Sequence, residues 1–170
     1  MIVYDGIKSD FIYSVENDTI ADEIRDNILR KMGRHTPVNE FKSWVNSMEY
    51  MYKAMNDPEI PFDAGIAIEF NIPQTAKRVD FMISGYDENG NPGMVIIELK
   101  QWSKLEKVDK SDSLVETYTG NALRKVVHPS YQAWSYAQLI SDYNTAVQDD
   151  NVRLEPCAYL HNYYRKDNDP

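Results

Sequence analysis

Residues 77–101 contain two apolar runs joined by a dense cluster of turn-forming residues, which is the pattern of a β-hairpin. If the hairpin is centred on Asn89, Asp80 in the first strand lies directly opposite Glu98 in the second. Facing residues of paired strands have Cβ atoms roughly 4.5–5.5 Å apart, and like charges placed there are destabilising. A divalent cation between the two carboxylates would remove this conflict. The hairpin therefore constrains both the fold and the chemistry of the chain.

The second strand of the hairpin also carries a cation close to Glu98. Strand alternation places Glu98 and Lys100 on one face and Leu99 on the other. Mg²⁺ takes oxygen ligands and usually accepts only one or two carboxylates, so Asp80, Glu98 and the Leu99 backbone carbonyl could hold it. Lys100 would then stabilise negative charge that develops on a substrate. The alternative is a surface ion pair between Glu98 and Lys100 beside an unrelated Asp80.

The rest of the pattern predicts one α/β domain with a mixed central β-sheet of about four strands flanked by helices. The run Val95–Ile97 lacks alternation, which is typical of a central strand that is covered on both faces. Residues 104–124 are polar and predict a loop. The predicted helices cover residues 18–32, 38–56 and 129–147, and the predicted strands cover residues 2–4, 66–72, 78–84, 94–100 and 152–159.

The charge balance bears on the class of partner. The 170-residue chain has a net charge of −9, whereas nucleic-acid-binding proteins usually have a basic face. Lysine and arginine gather in and after the hairpin, so the local charge can differ in sign from the total. The chain has no apolar run of membrane-spanning length and no signal-peptide pattern at its start, and its one cysteine, Cys157, is expected in the core. This composition favours a small cytoplasmic catalytic domain that relies on a partner for its affinity for nucleic acid.

Two motifs together resemble those of the PD-(D/E)xK nuclease superfamily, whose fold is restriction-endonuclease-like. The first is Asp80 followed by the strand-borne Glu98-Leu99-Lys100. The second, Gln132-Ala133-Trp134-Ser135-Tyr136, is similar to the Gln-x-x-x-Tyr motif of the RecB-type branch, and its first and last residues share a helix face. The resemblance implies that Asp80 and Glu98 bind Mg²⁺ or Mn²⁺ and that Lys100 acts on the hydroxide or the phosphate. It also implies that Gln132 and Tyr136 order the site and the nucleic acid; their alternative is the edge of an amphipathic helix.

Two further acids are candidate metal ligands. The RecB-type branch often has a histidine ligand on an early helix, and the predicted helix 38–56 has none. Glu49 on that helix could take this role or simply be solvated. Glu69 could bind a second metal ion or pair with Arg78.

Three basic residues are candidates for contacts with nucleic acid. Lys77 and Arg78 flank Asp80 and could position backbone phosphates, or they could be solvated loop charges. His128 could contact a phosphate near the N-terminus of the predicted helix 129–147, which attracts anions, or it could cap that helix.

The segments Val79–Trp102, His128–Tyr136 and Pro156–Tyr163 resemble the N-terminal nuclease-like domain of bacterial proteins that continue into a P-loop ATPase or helicase domain. This resemblance divides the chain into a strand and helix extension at 1–37, a nuclease-like core at 38–162 and a tail or linker at 163–170. It implies a metal-dependent deoxyribonuclease whose ATPase or helicase partner lies downstream or on a separate chain. The alternatives are a catalytically inactive nucleic-acid- or partner-binding module of the same fold and an RNA-cleaving enzyme.

Overall fold

The computed structural model describes residues 1–165 of the chain and shows an α/β protein with eight strands and five helices. In chain order these are β1 (Ile2–Ile7), α1 (Lys8–Glu16), α2 (Ile20–Met32), α3 (Val38–Met55), β2 (Gly65–Asn71), β3 (Arg78–Tyr86), β4 (Pro92–Lys100), β5 (Glu106–Val108), β6 (Ser111–Thr119), β7 (Ala122–Val127), α4 (Pro129–Tyr143), α5 (Thr145–Asp149) and β8 (Arg153–Leu160). A five-stranded mixed sheet has the order β1-β2-β3-β4-β8, and a three-stranded antiparallel sheet has the order β5-β6-β7. The larger sheet has five strands where the sequence predicted about four.

The predicted hairpin is present, with the expected centre and register. β3 and β4 are antiparallel, and pairs such as Phe81 with Ile97 keep one constant register. Extending this register by one residue places Asp80 opposite Glu98, as expected for a hairpin centred on Asn89. β4 also pairs with β8 in parallel orientation, which makes β4 a central strand and explains its unbroken apolar run.

Helices cover both faces of the larger sheet. α3 buries a stripe of apolar residues at helical spacing, Trp44, Met48, Met51 and Met55. With α1 and α2 it packs on one face, in a layer that includes Phe11, Ile24, Ile28, Ile68 and Phe81. α4 covers the opposite face, in a layer that includes Met82, Ile96, Tyr136, Ala137 and Ile140. The two layers fix the ends of β3 and β4 between α3 and α4, and the polar side chains at those ends form the candidate site.

The segment 104–124 is not a loop, so that prediction was wrong. It forms β5, β6 and the start of β7, which turn at Gly120 and Asn121. Both turn residues have positive φ, and a two-residue turn of this kind matches the twist of a hairpin. Val115 and Thr117 are fully buried in this small sheet, whereas most of its other residues are polar or exposed. The strands carry few apolar residues because most of this sheet faces solvent, and so the apolar pattern was weak.

Three smaller expectations also differ from the structure. α1 forms where only a polar region was expected, and its first residue, Lys8, is buried and donates to the carbonyls of Asp57 and Ile60 at 2.7 Å. The predicted helix 129–147 is two helices, because the Asn144 side chain caps α5. Cys157 is exposed on β8, the outermost strand of the larger sheet within residues 1–165, and is not a core residue.

The first 37 residues take part in the main sheet and core. β1 pairs with β2 in antiparallel orientation, and Val3, Phe11 and Ile24 belong to the same buried cluster as Trp44. Of the predicted tail, residues 166–170 lie outside the described residues. Within residues 1–165, no helix has the length and apolar character that crossing a membrane requires.

Candidate active site

Asp80 and Glu98 lie next to each other at the ends of β3 and β4. The Leu99 backbone N–H donates to Oδ2 of Asp80 at 2.9 Å, which fixes this carboxylate against the neighbouring strand. Glu98 is only 2% exposed, and both acids line a recess of about 230 Å³ between β4 and α3. The structure therefore brings together the two carboxylates that the hairpin register predicts.

Glu98 accepts two hydrogen bonds on one oxygen and none on the other. The Lys100 ammonium and the Gln132 amide both donate to Oε1, the latter at 2.7 Å. Within the described part of the chain, Oε2 is buried and has no hydrogen-bond partner. A buried carboxylate oxygen without a donor is unfavourable, and either a proton shared with the neighbouring Asp80 carboxyl or a bound cation would compensate it.

Gln132 and Tyr136 lie one turn apart on α4 and face the carboxylates. The Gln132 amide nitrogen donates to Glu98 and also to the Tyr136 hydroxyl, at 2.8 Å. Tyr136 is 5% exposed and packs in the apolar layer between α4 and the sheet. The helix thus fixes the orientation of the Gln132 side chain, which in turn fixes Glu98.

Burial dominates the electrostatics of the two acids. Burial raises the pKa of Asp80, and this effect outweighs the lowering by the Leu99 N–H and by the positive charges of Lys100 and Arg78. Burial and the Asp80 charge raise the pKa of Glu98 to about 7, although the Lys100 ammonium lowers it. Two neighbouring carboxyl groups with raised pKa values are unfavourable when both are ionised, and a bound divalent cation would favour that doubly ionised form.

A third buried acid, Glu69, belongs to an ion-pair network beside these two. Its Oε1 accepts the Trp44 indole N–H at 2.8 Å, and Arg78 Nε lies 2.5 Å from its Oε2. Burial raises the pKa of Glu69 to about 7, although the Arg78 charge and the Trp44 hydrogen bond lower it. The left-handed backbone of Glu69, with φ of 58°, allows it and the preceding Ile68 both to be buried. Of the two roles considered for Glu69, the geometry matches the pair with Arg78.

Sequence reasoning missed the residues that hold Arg78 in place. Glu40 on α3 lies between two guanidinium groups, with Arg78 at 2.9 Å and Arg34 at 2.8 Å. Trp44 lies in the predicted helix 38–56, and its indole N–H needs an acceptor when it is buried. That requirement is the one signal that could have linked α3 to a buried acid.

The remaining predicted residues lie at the margin of the site or away from it. Glu49 and Lys77 are exposed, and neither lines the recess. His128 is the N-cap of α4, where its Nδ1 accepts the Ser130 N–H at 3.1 Å, and burial lowers its pKa. The structure therefore shows the capping contact that was one of the two roles considered for His128.

Asp80 and Glu98 supply two carboxylates at the recess, which is a smaller set of donors than a metal site built from three or more side chains. Among residues 1–165, no group of three His, Cys, Asp or Glu side chains is arranged to hold a metal ion. Two carboxylates with a backbone carbonyl are nevertheless a sufficient protein contribution for Mg²⁺, which keeps several water ligands. The unpartnered Oε2 of Glu98 agrees with this smaller set of ligands.

A larger cavity lies elsewhere and has a different character. It measures about 810 Å³ and opens around Gly85 and Gly93, at the opposite ends of β3 and β4 from the two acids. A Cβ placed at Gly85 would meet no atom within 4 Å, so the cavity is open at this glycine. We therefore place the candidate chemistry at the smaller recess, where buried charges meet.

Comparison with known proteins adds no relative to this picture. No protein-family model, no curated protein and no solved structure matches the chain.

Proposed function

We propose that this chain is a nuclease of restriction-endonuclease-like fold that hydrolyses DNA phosphodiester bonds with Mg²⁺ or Mn²⁺. The observation that carries the proposal is the meeting of Asp80, Glu98 and Lys100 at one recess, where Gln132 donates to Glu98 from α4. These residues come from two strands and a helix, so their meeting does not follow from one short motif. The unpartnered oxygen of Glu98 supports a cation at this position.

Each residue has a role that its contacts support. Asp80, Glu98 and the Leu99 carbonyl would hold the cation, which when bound lowers the pKa of a water molecule and neutralises phosphate charge. Gln132 keeps the Glu98 carboxylate in orientation through Oε1. Lys100, which is partly exposed, can turn from Glu98 toward a phosphate oxygen and stabilise the charge that develops on it.

The reaction adds the elements of water across one phosphodiester bond. The water oxygen bonds to phosphorus, the bond from phosphorus to one sugar oxygen breaks, and that sugar oxygen takes a proton. The products are one end with a phosphate and one end with a hydroxyl group. The residues around the recess mainly position the reactants, which is the larger part of catalysis in phosphoryl transfer.

The net charge of −9 argues for a partner that supplies affinity for DNA. An ATPase or helicase domain, on the same chain or a separate one, would supply it. The isolated chain should accordingly cleave weakly, and more strongly at low salt, because its few phosphate contacts are screened at high salt.

The test is cleavage of labelled single- and double-stranded DNA by the wild type and Lys100→Ala, with Mg²⁺, with Mn²⁺ and with EDTA. We expect cleavage that needs metal and is lost in Lys100→Ala, while calorimetry shows nearly unchanged Mg²⁺ affinity. Lys53→Ala is the control, because Lys53 is exposed on α3 and contacts the Tyr50 ring, away from the recess. If RNA is cleaved faster than DNA, the substrate is RNA and not DNA. If the chain neither cleaves nucleic acid nor binds metal, an inactive binding module is favoured.

A further inference from the structure

Two recesses meet at the two carboxylates, and a third adjoins the central one on its other side, so that together they form a groove. The central one of about 230 Å³ shares Arg78, Asp80 and Glu98 with a second recess of about 480 Å³. On its other side it shares Leu99 and Lys100 with a third recess of about 420 Å³. The acids therefore lie in the middle of the groove and not at its end.

One arm of the groove offers hydrogen-bond donors for phosphate. Arg34 and Arg78 line it and supply these donors, whereas both amide N–H groups of the neighbouring Gln132 are taken by Glu98 and Tyr136. Both guanidinium groups contact Glu40, yet each presents five N–H groups and keeps donors beyond those contacts. This arm can therefore hold a phosphodiester backbone next to the carboxylates.

The other arm combines cations with aromatic rings. Lys42 from α3 and Lys100 from β4 line it together with Trp102 and Tyr118. The Lys100 ammonium lies 5.4 Å from the centre of the Trp102 ring, and Tyr118, near the turn of the β6–β7 hairpin, is 61% exposed. Cations beside exposed aromatic rings are the pattern by which proteins hold unpaired bases.

We propose that the groove holds a single nucleic-acid strand that extends past the carboxylates in both directions, so that cleavage occurs within the strand and needs no free end. This inference rests on the proposed nuclease function and specifies its substrate. The central recess measures about 230 Å³ and Glu98 is 2% exposed, so a backbone must enter the recess to reach the carboxylates, which a flexible single strand does more readily than a duplex. Stacking on Trp102 and Tyr118 also requires bases that are not paired.

The experiment compares circular single-stranded DNA with linear single-stranded DNA of the same sequence and with closed circular duplex, in Mn²⁺. We expect the single-stranded circle to be opened at about the rate at which the linear strand is cut, and the duplex at least about tenfold more slowly. Degradation of the linear strand while the circle stays intact would overturn the inference. Preference for the duplex would overturn it as well.

A binding measurement separates failure of this inference from failure of the proposed function. Fluorescence anisotropy with the wild type, in Ca²⁺ instead of Mn²⁺, compares labelled circular and linear single strands without cleavage. If no DNA is cut in the cleavage assay, the proposed function fails. Equal binding of the circular and linear strands would still support the groove. Binding of the linear strand alone, or of neither strand, would contradict the groove.

Tyr118→Ala tests the aromatic arm. Loss of one stacking contact should raise the Kd and KM for circular and linear single strands by about tenfold. Tyr13→Ala is the matched control, because Tyr13 on α1 is 67% exposed and does not line the groove. The same small effect in both variants would show that Tyr118 does not contact the strand.

Discussion

Replacing Asp80 by asparagine should stabilise the metal-free protein, although it removes a charge from the candidate site. Asparagine has the same shape, so its side-chain oxygen can still accept the Leu99 N–H and its amide can donate to Glu98. The repulsion it removes, for two charges about 5 Å apart at an effective dielectric constant of about 20, is about 3 kcal/mol. Lost attraction of Asp80 to Lys100 and Arg78 opposes this gain, so we expect a net increase of about 1–2 kcal/mol in the free energy of unfolding at pH 8.

The pH dependence gives the same reasoning a second test. The pKa of Glu98 in the folded protein is raised from 4.5 to about 7, so its protonated form stabilises the fold. This stabilisation is complete below pH 4.5 and is lost as the pH rises through 7, which makes the metal-free wild type less stable at pH 8 than at pH 5. The Asp80 charge is one cause of the raised pKa, so Asp80→Asn should flatten this loss.

The assay is urea unfolding at pH 5, 6.5 and 8, in EDTA and in Mg²⁺, with Asp112→Asn as the control for the same change at an exposed position. Mg²⁺ should stabilise the wild type and Asp112→Asn, and stabilise Asp80→Asn much less, because binding to the folded state alone adds stability. A loss of 1 kcal/mol or more in Asp80→Asn at pH 8 in EDTA would refute the reasoning and show that Asp80 is chiefly a partner of the nearby cations.

Three further outcomes are expected. Gln132→Ala should lower Mg²⁺ affinity or the cleavage rate by about 10- to 100-fold, measured by calorimetry and gel assay, because the Glu98 carboxylate loses the amide that orients it. Trp44→Phe should cost about 1–3 kcal/mol in urea unfolding at pH 8 and less at pH 5, because it removes a donor from a buried carboxylate that is protonated in acid. Gly65→Ala should destabilise the sheet, because its Cβ would lie 2.4 Å from Ser84 Oγ, and the double variant with Ser84→Ala should recover most of the loss if β2 and β3 have the register described.

The parts of the fold that could be predicted are those that a local pattern specifies. The α3 stripe, the turn residues around Asn89 and the unbroken run of β4 each depend on neighbours in sequence. Because the hairpin register follows from its turn, the approach of Asp80 to Glu98 could be predicted as well.

The parts that could not be predicted depend on contacts between distant segments. β6 was missed because its burial comes from a small sheet with few apolar positions, and the exposure of Cys157 depends on β8 being an edge strand. The pair of Glu69 with Arg78 was considered, but its enclosure by Trp44 required knowledge of where α3 lies on the sheet. Local propensity contains no information on such placements.

The parallel pairing of β4 with β8 has a consequence for the time at which the site is completed during synthesis. β1 to β4 can pair as soon as residue 100 has left the ribosome, whereas the second edge of β4 stays open until Leu160 is available to pair beside Lys100. Such distant pairing forms late, because the long intervening segment must be closed into a loop first. A nascent or prematurely terminated chain therefore exposes the Glu98 strand without the support that holds it in the finished protein. Under the nuclease function proposed above, cleavage competence would arrive only when β8 has paired with β4.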